Sequence, residues 1–125
     1  MSLLLDTHIA LWLARDAAEL TPAARRHIND AKAVFVSSAS IWEVTIKAAL
    51  GKLALSPQRL ADQLKAAGIE PLAVTWAHAF AMLALPPLHR DPFDRLLVAQ
   101  AMSEPLHLLT HDATLAAYTD LVIVV

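Results

Sequence analysis

Short apolar runs alternate along the chain with segments whose apolar residues recur every three or four positions. Buried strands are indicated by four of the runs, at residues 3–5, 34–36, 107–109 and 121–125. A further extended stretch at residues 69–74 contains Pro71. Because proline has no N–H to donate to a sheet ladder, this stretch is predicted to be an edge strand.

Helices are predicted between the strands. One covers residues 7–15, and another covers residues 112–118. Three more begin where an N-cap residue precedes a proline, which is favoured at the first helical position. These three starts are Thr21-Pro22, Ser56-Pro57 and Asp91-Pro92.

Two other helix starts rest on single capping residues. Ser40 and Glu43 have the spacing of a capping box, with Ser38 as a competing cap, for a helix that ends at Gly51. Thr75 is expected to cap a helix that carries Trp76. The three tryptophans lie on apolar helical stripes, so we expect them to pack in the core. They are Trp12, Trp42 and Trp76.

Strands that alternate with helices require crossover connections, which are right-handed and produce parallel strand pairs. The pattern therefore predicts an α/β fold with a mostly parallel sheet covered on both faces. The chain has 125 residues, which is the length of one ordinary domain, and we expect that domain to span residues 1–125.

Composition excludes several function classes. The two glycines, Gly51 and Gly68, are too far apart for a glycine-rich phosphate loop. The absence of cysteine excludes disulfides and thiolate zinc sites, and it fits a reducing cytoplasm. No apolar stretch approaches the roughly 18 residues of a membrane span, and no basic region typical of a signal peptide precedes the first apolar run.

Four acids lie beside predicted strand ends or helix starts. Asp6 follows the first strand and Asp112 follows the strand at residues 107–109, and ligands of open α/β sheets bind outside the carboxyl ends of the strands. Glu43 and Asp94 fall in the first turns of two helices. Clustered carboxylates repel one another unless a cation lies between them, and Mg²⁺ or Mn²⁺ prefers oxygen ligands. Such ions suit phosphodiester hydrolysis because they activate water and neutralise phosphate charge.

Each acid also has a structural interpretation. An aspartate between a strand and a helix is a common N-cap, which fits Asp6 and Asp112. Glu43 would complete a capping box, and Asp94 would only interact with the helix dipole. The formal net charge of −2 is unusual for a nucleic-acid-binding chain, unless clustered carboxylates hold cations. The functional hypothesis therefore depends on the four acids occurring together.

Four segments, in this order, resemble the PIN-domain nucleases, in particular the VapC-type toxins of bacterial toxin–antitoxin pairs. They are LLLDTH at residues 3–8, SSASIWEV at residues 37–44, RDPFDRLLVAQA at residues 90–101 and LTHD at residues 109–112. The resemblance covers nearly the whole chain, and the third segment is the most specific.

The resemblance implies a three-layer α/β/α domain that cleaves RNA with Mg²⁺ or Mn²⁺. It assigns the metal-binding and catalytic positions to Asp6, Glu43, Asp94 and Asp112. It also assigns supporting positions, which orient the acids or act through a metal-bound water, to Thr7, Thr110 and Asp91. Expected partners are an RNA substrate such as tRNA or ribosomal RNA, a small antitoxin and a second copy of the chain.

Basic residues near these motifs are candidates for phosphate contact, namely Arg90, Arg95 and Lys47. The histidines are interpreted as structural or surface residues rather than metal ligands, although His89 beside Arg90 could touch RNA. His8 and His111 lie beside two of the acids, but the chain has no HExxH motif.

Three other functions remain as alternatives. A magnesium-binding phospho-receiver would need a lysine near the end of the chain, and no lysine follows Lys65. A haloacid-dehalogenase-type phosphatase would need Asp-x-Asp after the first strand, where position 8 is His8. A non-catalytic PIN-like interaction module would be expected to lack some of the acids, and this chain has all four.

Overall fold

The computed structural model, which describes residues 1–125, contains one five-stranded sheet in which every neighbouring pair is parallel. The strands are β1 (Ser2–Leu5), β2 (Ala33–Ser37), β3 (Glu70–Leu72), β4 (His107–Thr110) and β5 (Val122–Val124). Their order across the sheet is β3-β2-β1-β4-β5. The predicted parallel sheet is confirmed, and β3 with its Pro71 lies at an edge.

Six α-helices connect or flank the strands. They are α1 (Thr7–Arg15), α2 (Pro22–Asp30), α3 (Ser38–Ala49), α4 (Pro57–Ala66), α5 (Trp76–Ala81) and α6 (Pro92–Ser103). Two 3₁₀ segments complete the fold, at Met82–Ala84 and Ala113–Ala117. The stretch predicted as a helix at residues 112–118 is therefore a shorter 3₁₀ turn.

The predicted capping box of Ser40 and Glu43 is wrong. Ser37, the last residue of β2, caps α3, and its Oγ accepts the Ala39 N–H at 3.0 Å. Ser40 and Glu43 therefore lie inside the helix, and both are buried. Because Glu43 has no capping bond to make, its carboxylate is available to the site at the end of the sheet.

The hydrophobic core is divided between the two faces of the sheet. Successive side chains of a strand point to opposite faces. Accordingly, Leu3 and Leu5 belong to a core with α1, α2 and α4, while Leu4 belongs to a core with α6. Burying a leucine side chain contributes roughly 1.5–3 kcal/mol, so these fully buried leucines fix which way β1 faces. Asp6 follows directly and is fixed with it.

The strand order reverses beside β1. The chain adds β2 and then β3 on one side of β1, and then crosses over to add β4 and β5 on the other side. In parallel α/β sheets, the crevice at such a switch point is where ligands bind. Leu5 of β1 pairs with Leu109 of β4, and the Asp6 N–H donates to the Leu109 carbonyl at 3.0 Å. Asp6 therefore lies at the mouth of this crevice.

Two of the three tryptophans are not in the core, so that prediction is wrong for them. Trp42 is 61% exposed and Trp76 is 82% exposed, whereas Trp12 is half-buried and packs against the core. The apolar side chains of Trp76 and Phe80 on α5 face solvent instead of the sheet. None of the helices is long and apolar enough to cross a membrane.

Candidate metal centre

Asp6 combines a structural role with a position in the site. Its Oδ1 accepts the Ile9 N–H at 2.8 Å as the N-cap of α1, and its Oδ2 accepts the Thr110 hydroxyl at 2.5 Å. The side chain is buried, and this burial raises its pKa above the ordinary value, although the hydrogen bonds from Thr110 and Ile9 oppose the rise. The capping and functional interpretations of Asp6 are therefore compatible.

Glu43 is held by residues on two helices. The Thr7 hydroxyl at the start of α1 donates to Glu43 Oε1 at 2.7 Å. The Thr7 and Ser40 hydroxyl oxygens lie 3.0 Å apart, and because Thr7 gives its only proton to the carboxylate, Ser40 acts as donor there. Lys47, one turn further along α3, pairs with Glu43 Oε2 at 2.9 Å. This network orients a buried carboxylate within the helix that follows β2.

The surroundings of Asp94 raise the pKa of its carboxyl group well above the ordinary value. Burial, and then the charges of Asp91, Asp6 and Glu43, raise its pKa to about 7, while His89 opposes the rise. Such mutual repulsion requires the carboxylates to be near one another. Asp91 is the N-cap of α6, and its Oδ1 accepts the N–H groups of Phe93 and Asp94 at 2.8 and 3.3 Å.

Asp112 enters the site from the end of β4. Its Oδ1 accepts the backbone N–H and the hydroxyl of Thr114 at 3.0 and 2.6 Å, and its Oδ2 lies 3.0 Å from His89 Nε2. The hydroxyl bond from Thr114 is the main reason that its pKa is lowered. The His89, Asp94 and Asp112 side chains each have a ligand atom within 4.8 Å of the others.

The acids meet at the switch point of the sheet. One cleft there is lined by Asp6, Asp94 and Asp112 together with an aromatic wall of His8, Trp12 and His111. Glu43 lies in the adjoining cleft, with Lys47, Arg90 and Asp91. A divalent cation fits this donor set because its charge would offset the burial and the neighbouring negative charges that raise the pKa of Asp94.

The three basic candidates differ in their surroundings. Arg90 is exposed beside the cleft of Glu43. Lys47 is paired with Glu43, and Arg95 Nη2 donates to the Leu85 carbonyl at 3.3 Å. Lys47 and Arg95 therefore already contact other groups of the protein, whereas the guanidinium of Arg90 is left to bind a phosphate.

His89 is the residue that sequence reasoning undervalued. The sequence predicts at most a contact with RNA, whereas the ring contacts Asp112 and approaches Asp94. The position of His89 in the sequence could have indicated its place in the site. It lies two residues before the N-cap Asp91 and beside the most specific motif. His8 and His111 lie beside the acids in the structure as they do in the sequence, whereas Trp12 is predicted from the sequence only as a core residue.

These features define a parallel α/β domain with a cluster of carboxylates at its switch point. The family model for the PIN domain matches residues 3–121. The chain therefore belongs to the PIN domain family.

The relatives agree with this membership. Ribonuclease VapC22 of Mycobacterium tuberculosis is 30% identical to this chain, over 94% of this chain and 92% of that protein. The solved structure of VapBC2 from Rickettsia felis, bound to a DNA fragment from its promoter, is similar with a TM-score of 0.70 and 14% identity, over 100% of this chain and 98% of that chain.

A second solved structure is that of Mycobacterium tuberculosis VapC20, described as a sarcin-ricin loop cleaving toxin. Its TM-score is 0.61 and its identity 14%, over 94% of this chain and 97% of that chain. At 14% identity, the two structures support a shared fold only. The expected three-layer α/β/α fold is confirmed.

Proposed function

We propose that this chain is a divalent-metal-dependent endoribonuclease, a single PIN domain over residues 1–125, and the toxin of a toxin–antitoxin pair. One observation carries the proposal: the carboxylates of Asp6, Asp94 and Asp112 line one cleft at the switch point of the sheet. Glu43 is close enough to raise the pKa of Asp94. The similarity to Ribonuclease VapC22 supports RNA as the substrate class.

Mg²⁺ or Mn²⁺ is the expected cofactor, held by Asp6, Asp94, Asp112 and Glu43. A bound ion of this class polarises water and offsets the negative charge of the phosphate. Asp94 carries a proton for part of the time near neutral pH without a cation, and its carboxylate must lose that proton to act as a ligand.

The remaining residues orient the acids. Thr110 holds Asp6 Oδ2 and Thr7 holds Glu43 Oε1, so each carboxylate has one oxygen fixed by a hydroxyl group. Such hydrogen bonds to ligating carboxylates typically change metal affinity or activity by about 10- to 100-fold. Asp91 shapes the site through the start of α6 and through its charge beside Asp94.

Substrate contacts are proposed for three cations near the acids, of which only Arg90 is exposed. Arg90 faces the cleft of Glu43, and Lys47 and Arg95 lie on the two helices that border it. A phosphate backbone that crosses this cleft would bring its negative charge to these side chains. Ribosomal RNA or tRNA is the expected target, and the structurally similar VapC20, a sarcin-ricin loop cleaving toxin, supports that expectation.

The proposed partners are a small antitoxin and a second copy of the chain, with the protein acting in the cytoplasm. Similar solved structures include VapBC2 from Rickettsia felis and a toxin–antitoxin complex from Klebsiella pneumoniae. The surface also offers an unpaired apolar face, formed by Trp76, Phe80 and Leu83, which are 82%, 66% and 90% exposed. We assign this face to the homodimer, because exposed apolar patches of this kind mark protein interfaces.

Cleavage of labelled RNA tests the proposal. Wild-type protein is incubated with RNA and Mn²⁺, with and without EDTA, beside Asp6→Asn and the control Asp62→Asn, which neutralises an exposed acid of α4. We expect Mn²⁺-dependent cleavage by the wild type and the control, and none by Asp6→Asn. Cleavage by Asp6→Asn at the wild-type rate would refute the site. Labelling of an aspartate by acetyl phosphate, without cleavage, would favour the phospho-receiver alternative.

A further inference from the structure

His89 has two hydrogen bonds that fix the orientation of its ring. Its Nδ1 accepts the backbone N–H of Asp91 at 3.1 Å, and its Nε2 lies 3.0 Å from Asp112 Oδ2. A ring nitrogen that accepts a hydrogen bond carries no proton, so the imidazole proton is on Nε2. The ring therefore donates from Nε2 to Asp112.

The same hydrogen bonds argue against His89 as a metal ligand. Coordination through Nε2 would move the ring proton to Nδ1, where it would face the Asp91 N–H, so that two donors opposed each other at 3.1 Å. The proximity of His89 to Asp94 and Asp112 would otherwise suggest a three-ligand site. The backbone N–H of Asp91 thus makes the ring a donor to the acids.

Asp112 is the acid that most needs such a donor. Its side chain is 37% exposed, while those of Asp94 and Glu43 are 22% and 6% exposed. Thr114 holds Oδ1 from the far side of the carboxylate, and only His89 among the protein's side chains holds Oδ2. His89 Nε2 also lies 3.8 Å from Asp94 Oδ2, so the ring bridges the two acids.

We propose that His89 is a positioning residue: the Asp91 N–H sets its tautomer, and its Nε2–H keeps the Asp112 carboxylate turned toward Asp94. This inference rests on the proposed function, in which Asp94 and Asp112 hold the cation. It gives Asp91 a second role beyond capping α6, because its backbone N–H selects which nitrogen of His89 carries the proton.

Amide variants of His89 test the two ring nitrogens separately. In His89→Gln, the side-chain amide reaches the position of Nε2 and can donate to Asp112. In His89→Asn, the shorter amide reaches only the position of Nδ1, and His89→Ala removes both. Mn²⁺ binding to each purified protein is measured by electron paramagnetic resonance without RNA, and RNA cleavage is measured in parallel. Thermal unfolding checks that each variant is folded.

We expect His89→Asn and His89→Ala to weaken Mn²⁺ binding by about 10- to 100-fold, and His89→Gln to recover most of that loss. Wild-type affinity in His89→Asn, or a loss in His89→Gln as large as in His89→Ala, would overturn the proposal. A metal-free measurement separates this outcome from failure of the proposed function. The ¹⁵N shifts of the His89 ring should report a proton on Nε2, and a proton on Nδ1 would refute the positioning role even if the wild type cleaves RNA.

Discussion

The Thr110 hydroxyl donates to Oδ2 of Asp6 at 2.5 Å, although the two residues lie 104 positions apart in the sequence. The same hydroxyl oxygen accepts the backbone N–H of Asp112 at 3.0 Å. Thr110 is fully buried at the end of β4, beside the end of β1. One side chain thus links the two acid-bearing segments across the switch point of the sheet.

Replacing Thr110 by valine should damage the site more than the fold. Valine keeps the β-branched shape but leaves Asp6 Oδ2 without its hydroxyl donor and the Asp112 N–H without its acceptor. An unpaired buried group costs about 1–3 kcal/mol of stability. We expect kcat for RNA cleavage in Mn²⁺ to fall by about 10- to 100-fold. Thr110→Ser keeps the hydroxyl and serves as the control, and a wild-type kcat in Thr110→Val would contradict the role of this hydrogen bond.

Burial of Asp94, together with repulsion from the acids around it, should make the metal-free protein less stable as the pH rises. The pKa of Asp94 is raised from 3.8 to about 7 in the folded state, so folding favours its protonated form. The stability from that proton is fully present below the ordinary pKa and is lost as the pH rises through about 7. Asp94→Asn removes the charge and should therefore be more stable than the wild type at pH 8, by about 1–3 kcal/mol, but not at pH 4.

Thermal unfolding in EDTA at both pH values measures this difference, with Asp62→Asn as the control for loss of an exposed charge. Added Mn²⁺ should stabilise the wild type and have little effect on Asp94→Asn, because the proposed site binds the ion to the folded state through this carboxylate. A stability difference that does not grow between pH 4 and pH 8 would show that folding does not raise the pKa of Asp94.

Much of the fold could be predicted because local signals and periodicity agree. Thr21-Pro22 and Asp91-Pro92 start helices where capping chemistry places them. The predicted start of α3 is wrong because several serines in one stretch offer equivalent caps. In the structure Ser37 is the cap and Ser40 lies beside Thr7 of α1, a contact that the local sequence does not reveal.

The site was less predictable than the fold because its side chains meet across long sequence separations. The four acids could be proposed from their positions beside strand ends and from the resemblance to PIN-domain nucleases. The hydrogen bonds of Thr7 to Glu43 and of His89 to Asp112 depend on how helices and loops pack against one another. The periodicity of apolar residues within one element does not predict such contacts. The exposed stripe of α5 is predicted wrongly because periodicity identifies an apolar face but not what covers it.

Lys47 offers a test of competition at Glu43. Its ammonium lies 2.9 Å from Glu43 Oε2, where it competes with any cation for the carboxylate. Because partly exposed ion pairs contribute about 0.2–1 kcal/mol, Lys47→Met should tighten Mn²⁺ binding by only about 2- to 5-fold. If Lys47 also contacts phosphate, the same variant should raise KM for RNA and lower its salt dependence by about one charge.

Isothermal titration with Mn²⁺ and cleavage at several salt concentrations measure the two effects of Lys47→Met separately. Lys52→Met, which removes an exposed charge after α3, is the control. An unchanged salt dependence would eliminate Lys47 as an RNA contact, and unchanged Mn²⁺ affinity would mean that Glu43 does not bind the ion.

The exposed face of Trp76, Phe80 and Leu83 should control oligomeric state. These residues recur at intervals of four and three, so they share one side of α5 and the 3₁₀ segment that continues it. Changing Trp76 to serine removes the largest of the three side chains from a surface where it is 82% exposed. The isolated chain should therefore keep its stability, while a dimer through this face should dissociate.

Sedimentation equilibrium measures the outcome. We expect the wild type to sediment at twice the 13.5 kDa mass of one chain and Trp76→Ser at the mass of one chain. Val124→Ser changes an exposed apolar residue of the edge strand β5 and should remain a dimer. A wild-type monomer, or a Trp76→Ser dimer, would reject this face as the homodimer interface. Because Trp76 lies on α5 and none of the acids does, Trp76→Ser should still bind Mn²⁺, which separates loss of assembly from loss of the metal site.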